Sequence, residues 1–214
     1  MMTKDIEVFT HSSIRITERD LRIYIDPFQF HRERNNADYI LITHDHHDHF
    51  SPSDIQLVAK PSTILVVPEN MLEKAKEVEG MVAEIRTVKP GETYDFGDFK
   101  VETVAAYNIG KSFHPKEAGW VGYIVMIAGQ RIYIAGDTDE TEEALNVVCD
   151  VALVPIGGTF TMDAREAARL INNIRPKVAI PTHYGSVIGS RYDAETFRDS
   201  VDFTIPVEVK MLHY

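Results

Sequence analysis

The chain has 214 residues, of which 44% are apolar and 26% charged, and its formal net charge is −11. That length suits one compact unit with its own core, and that composition belongs to ordinary soluble globular proteins, not to disordered ones. The acidic balance, with no stripe of Lys and Arg, disfavours a polyanionic partner such as nucleic acid.

Met1 to Glu7 carry acidic residues and lead straight into a strand-like run, without the basic and apolar regions of a signal peptide. No stretch approaches the roughly 18 apolar residues of a membrane span, so the expected location is the cytoplasm and no membrane partner is expected. The lone Cys149 excludes an internal disulfide. Its place at a strand start predicts a small buried hydrophobe.

Short runs rich in Val, Ile and Tyr predict strands over 14–16, 21–25, 39–42, 64–67 and 99–105, then over 121–127, 131–135, 151–154, 178–180 and 207–209. Between them, Ser51-Pro52-Ser53-Asp54 starts a helix that runs to about Ala59. A second helix is predicted from Glu69 to Gly80, and others after Thr138 and after Tyr192. One more starts at Asp163, where Glu166 closes a capping box, and ends before Pro176. Such an alternation favours mixed sheets with helices outside, most economically an α/β (α+β) four-layer sandwich of two sheets in a single domain spanning 1–214.

Four of the nine histidines fall within six positions, as His44-Asp45-His46-His47-Asp48-His49, between the predicted strand 39–42 and the capped helix. In an extended segment alternate side chains share a direction, so His44 and His46 can reach one cation, while the turn toward the helix brings Asp48 and His49 together for a second. His47, on the opposite phase from His46, is expected behind the ligands or in solvent. Imidazoles with carboxylates suit zinc and similar divalent ions. One loop cannot supply every ligand. His114, Asp137 after Gly136, and His183 after the strand 178–180 are the candidates for the remainder, the last two at strand carboxyl ends where α/β sheets place their sites.

Together, His44-x-His46-x-Asp48-His49, a later His, Gly136-Asp137-Thr138-Asp139 and Pro181-Thr182-His183-Tyr184-Gly185 resemble the ordered motifs of the metallo-β-lactamase superfamily. Thr10-His11-Ser12-Ser13 and Ile25-Asp26-Pro27 resemble its opening hairpin, so the likeness covers nearly the whole chain. It is nearest to the small metal-dependent hydrolases that resemble ascorbate-6-phosphate lactonase. The resemblance implies an αββα sandwich with two divalent metal ions, zinc first, with manganese or iron as alternatives. By position His44, His46 and His114 would hold one ion, Asp48, His49 and His183 the other, and Asp137 would bridge them. Asn108 competes with His114 for the first site; an imidazole is the better ligand. The implied chemistry is hydrolysis by a metal-held hydroxide, with His46, Asp48 and Asp137 as catalytic residues and Asp48 as a proton acceptor. The expected substrate is a small ester, lactone or phosphorylated metabolite.

Blander readings apply elsewhere. His31 and His213 are read as surface residues, and His11 contacts substrate, supports the metal shell or serves a local turn with Ser12 and Ser13. Asp26 forms a turn with Pro27 or orients a ligating imidazole, and Tyr184 packs at a strand end or donates to substrate. Gly157-Gly158-Thr159 reads first as a plain turn and second as a lining of the substrate pocket with backbone amides. Three other functions were weighed. A ribonuclease Z-like phosphodiesterase needs a basic docking arm that the sequence lacks. A flavodiiron-like redox protein would need a carboxylate in place of His46 and a flavin domain. A non-catalytic metal-binding protein would carry the same ligands.

Overall fold

The structure, a computed structural model, describes residues 3–212; His213 lies outside them. Strands β1 (Ile6–Val8), β2 (Ile14–Glu18), β3 (Leu21–Ile25), β4 (Tyr39–Leu41), β5 (Ile64–Pro68) and β6 (Glu84–Val88) form one sheet in that order. The other runs β12 (Val178–Thr182), β11 (Val151–Pro155), β10 (Gln130–Ile134), β9 (Val121–Ile127), β8 (Lys100–Ala105) and β7 (Thr93–Asp95). Each sheet joins an antiparallel part to a parallel part: β3 to β6 run parallel in the first, and β10 to β12 in the second.

Period-2 side-chain alternation builds the layers. In the first sheet Ile23, Ile25, Leu41 and Val66 point into a core shared with the second sheet. Their neighbours Tyr24, Ile40, Leu65 and Val67 point the other way, into a second cluster with Ile55 and Val58 of helix α1 (Pro52–Val58) and Ala75 of α2 (Leu72–Ala75). Strands β11 and β12 are buried along their whole length, as parallel strands covered on both faces must be. Helix α4 (Ala164–Ile174) lays Ala167, Leu170 and Ile171 on the outer face of the second sheet, in an apolar cluster continuous with that core and joined by Ala194 and Phe197 of α5 (Asp193–Ser200). The result is the expected four-layer sandwich with helices outside.

Boundaries depart from expectation where local chemistry was weak. Strands β6 and β7 are not visible as apolar runs, because each is the edge of its sheet and is mostly exposed or half-buried. The predicted helix 69–80 is instead a broken series, a 3₁₀ turn at Glu69–Met71, α2, and a second 3₁₀ turn at Lys76–Met81. The predicted strand over 207–209 is reduced to one bridge from Val207 to Ala179. Its segment then passes from the edge of the second sheet to the edge of the first, where Leu212 N donates to Val8 O. Both strong helix starts are as predicted. Ser51 Oγ accepts from Asp54 N at 3.4 Å, and Asp163 with Glu166 forms the reciprocal box that opens α4. The remaining short helix, α3 (Glu142–Leu145), is capped by Thr141.

Cys149 packs against the shared core just before β11, and burial pushes its thiol up to about 12. It is half-buried, less enclosed than the predicted small buried hydrophobe. Among the described residues no helix is long and apolar enough to cross a membrane.

Candidate metal centre

The loops that leave β4, β10 and β12 converge at the carboxyl ends of those strands. The loop after β4 is pinned across the sandwich: Tyr123 Oη of β9 donates to Ile42 O at 2.6 Å, and Val121 N donates to Thr43 O at 3.2 Å. The chain then turns, with His49 N and Phe50 N both donating to His46 O. That turn leaves the His47 side chain 80% exposed and brings Asp48 and His49 inward. Gly136 lets Asp137 approach, since a Cβ there would sit 3.2 Å from the Thr43 Cβ. His183 follows β12 directly.

Among the described residues two His-rich donor groups result, and a third, His44, His49 and Asp137, links them. In the first, nitrogens of His44, His46 and His114 lie within 4.8 Å of one another. In the second, donors of His11, Asp48, His49 and His183 meet the same limit. Asp137 stands between the groups: its Oδ2 is 3.3 Å from His114 Nε2 and 3.0 Å from His183 Nε2, and its Oδ1 is 3.3 Å from His49 Nε2. Every residue expected in the ligand set is therefore present in one cluster. Asn108 stands behind that cluster, not in it. Its Oδ1 accepts from His114 Nδ1 at 3.0 Å, which directs the bare Nε2 of His114 inward.

Other supports were less visible in the sequence. His49 Nδ1 donates to Asp26 Oδ2 at 2.7 Å, so Asp26 takes the orienting role and not merely that of a turn residue. Thr43 joins the two groups, donating through its backbone N and its hydroxyl to Asp26 and lying 3.0 Å from His44 Nδ1. The sequence carries one sign of that role, a polar residue closing a buried strand next to a ligand. Trp120, the sole tryptophan, packs its ring 5.1 Å from those of His44 and His46 and 5.5 Å from that of His114. Nothing in its local sequence marked it. Gly157 also has a reason beyond a plain turn: a Cβ there would lie 2.3 Å from His183 O. Tyr184 is fully buried in the shared core, and His31 is exposed.

Electrostatics separate the groups. Burial, reinforced by neighbouring imidazoles, lowers the pKa of His44 and His46. Burial opposes charge on His49 and His183 too, but the Asp137 carboxylate outweighs it, with Asp26 adding to the effect at His49, and both imidazoles are raised. Burial also works against Asp48 and Asp137, yet the hydrogen bond from His11 and the nearby His183 imidazole at Asp48, and the charges of His183 and His49 beside Asp137, hold both carboxylates below their ordinary range.

Backbone strain gathers here as well. His11, Asp26 and His183 adopt left-handed φ of 52°, 45° and 56°, a conformation costing about 1–2 kcal/mol for a residue with a Cβ. Among the described residues His49 Nε2, His114 Nε2, His183 Nε2 and Asp137 Oδ1 are buried without a hydrogen-bond partner, and all four face the same space. Leaving buried polar atoms unmet costs about 1–3 kcal/mol each. Convergent lone pairs of this kind fit divalent cations, which take imidazole nitrogen and carboxylate oxygen together.

The sequence profile of the β-lactamase superfamily domain matches residues 5–183. A UPF0173 protein of Pyrococcus furiosus is 32% identical over 192 residues, 88% of this chain and 86% of that protein. A UPF0173 metal-dependent hydrolase of Symbiobacterium thermophilum is 32% identical over 206 residues, covering 90% and 89%. A solved protein of Parabacteroides distasonis superposes with a TM-score of 0.79 at 32% identity, covering 97% of this chain and 92% of that one. A metallo hydrolase of Ignicoccus hospitalis, 20% identical, shares the fold with a TM-score of 0.77 over 98% and 95% of the two chains.

Proposed function

This chain belongs to the metallo-β-lactamase superfamily, and on that premise we propose that it is a two-ion hydrolase acting on a small ester, lactone or phosphorylated metabolite. Metal-dependent hydrolysis of this fold is the activity for which its relatives are named. The observation that carries the reading is the set of buried, unpaired donors facing one space from two groups that share Asp137.

His44, His46 and His114 would hold one cation and Asp48, His49 and His183 the other, with Asp137 serving both; zinc, manganese and iron all accept this donor set. Bound there, the cations supply Lewis-acid chemistry, lowering the pKa of water and stabilising negative charge as it develops on a substrate oxygen. The chain supplies the geometry. Asp26 and Asn108 fix the ring orientations of His49 and His114. Asp48, buried yet bordering the exposed His47, orients the attacking water and accepts its hydrogen bond. His46 is half-buried, more open to solvent than the other imidazoles of the two groups.

Within that class an uncharged substrate is favoured. Phe28 packs against His47 at 6.2 Å, and Phe113, next to His114, packs edge-on against Phe160 at 4.7 Å. The net charge of −11 suits an ester or lactone better than a polyanion. A panel of lactones, carboxylic esters and p-nitrophenyl phosphodiesters, assayed with zinc, manganese or iron, tests the reading. Turnover should require metal and should vanish in a folded His46→Ala variant. An inert wild type with both ions bound, or full activity in His46→Ala, would exclude it.

A further inference from the structure

His11 sits in the turn between β1 and β2, fully buried, with its Nε2 3.1 Å from Asp48 Oδ2 and its ring centre 3.8 Å from that of His183. We infer that His11 is a positioning residue of the second donor group, donating from Nε2 to Asp48 Oδ2 and supporting the His183 ring, and is not itself a ligand. The inference rests on the two-ion reading above.

Ring spacing separates the two roles. Two imidazoles bound side by side to one zinc-like ion hold their ring centres about 5 Å apart, given a metal–nitrogen distance of about 2.1 Å. The first group meets this, with separations of 4.7, 5.0 and 4.8 Å among His44, His46 and His114. His49 and His183 meet it too, at 5.4 Å. His11 does not, being too close to His183 at 3.8 Å and too far from His49 at 6.2 Å. Its ring leans on that of His183 instead.

Local turn chemistry does not account for the residue either. The turn is closed by the backbone, Ser13 N donating to Thr10 O at 2.8 Å, and Ser13 Oγ accepts from Phe28 N. The His11 ring takes no part in it. At φ 52° glycine or asparagine would fit with less strain, so a histidine there needs another reason. Its backbone gives one more tie to the site, since His11 O accepts from His183 N at 2.9 Å. One residue thus holds Asp48 through its ring and His183 through both ring and backbone. Groups placed behind metal ligands in this way typically change metal affinity about 10–100-fold.

The test is stepwise Co2+ titration of metal-free wild type, His11→Asn and His11→Gln. The Co2+ absorption bands report both ions, and Trp120 emission reports the first group, against which it packs. Asparagine tolerates the left-handed backbone but is too short to reach Asp48, whereas glutamine can place its amide nitrogen near the position of Nε2. We expect His11→Asn to weaken only the second equivalent, by about 10–100-fold, and His11→Gln to restore it to near the wild-type value. Unchanged binding in His11→Asn, equal weakening of both equivalents, or a glutamine variant as deficient as the asparagine one would overturn the inference; the last result would mark His11 as a ligand. A wild type that binds at most one Co2+ would instead defeat the two-ion reading, and the inference with it.

Discussion

His44 and His114 rest on neutral partners, the hydroxyl of Thr43 and the amide oxygen of Asn108, whereas His49 rests on the buried carboxylate of Asp26. The first group takes two of its three imidazoles from one loop; the second draws on the loop after β4, the loop after β12 and the β1–β2 turn. A carboxylate behind an imidazole makes it a more basic donor than a neutral oxygen does. That same arrangement makes the second group depend on more distant parts of the chain. The comparison teaches that two neighbouring cation sites can be held by different means, one by local sequence and one by tertiary contacts.

The largest effect should come from the residue the groups share. Asp137→Ala is expected to lower turnover by well over the roughly 100-fold typical of residues behind a ligand and to deplete both ions, as read by kinetics and elemental analysis of the purified variant. A full complement of ions in that variant would break the claim that one carboxylate serves both groups.

Asp26→Asn should sharpen the contrast. Asp26 accepts from Thr43 N, Thr43 Oγ and His49 Nδ1, and an amide nitrogen in place of either oxygen turns an acceptor into a donor facing donors. Affinity for the second ion should fall about 10–100-fold, while Trp120 emission on filling the first group stays as in wild type. Equal weakening of both would erase the distinction.

Gly157→Ala touches the second group only through the backbone. A Cβ 2.3 Å from His183 O forces that strand end to shift, which should cost about 1–3 kcal/mol, a fall of several degrees in Tm. Calorimetry of the metal-free protein checks this; an unchanged Tm would show that the β12 end yields freely.

The smallest effect lies outside both groups. The Arg131 guanidinium donates to Glu102 and holds its carboxyl below the ordinary range. A depressed folded pKa stabilises above the unfolded value of about 4.3 and is lost as pH falls through the folded one. Glu102→Gln should therefore cost about 0.2–1 kcal/mol near neutrality, and the difference should close in acid. Urea unfolding at several pH values measures it; a loss persisting at low pH would point to packing in place of charge.

Much of this was legible in the residues alone. The central strands announced themselves because strands buried on both faces must be apolar throughout, and α1 and α4 because their caps are local chemistry of four residues. The ligand set was legible for the same reason, with four histidines in one loop and single donors after strand ends. Edge strands β6 and β7 and the broken segment after β5 were not, since exposed backbone imposes little on side-chain choice. Nor were Thr43 and Trp120, whose importance lies in what packs against them, and for His11 the residues left site support and turn chemistry unseparated. Sequence by itself determined which residues carry donor atoms and which strands form the core, because residue chemistry and side-chain alternation are written along the chain. Only the tertiary structure decided that Asn108 stands behind His114, that Asp26 backs His49 and that His11 faces Asp48. Those relations join residues from 6 to 37 positions apart, and such distances close only when both sheets have packed.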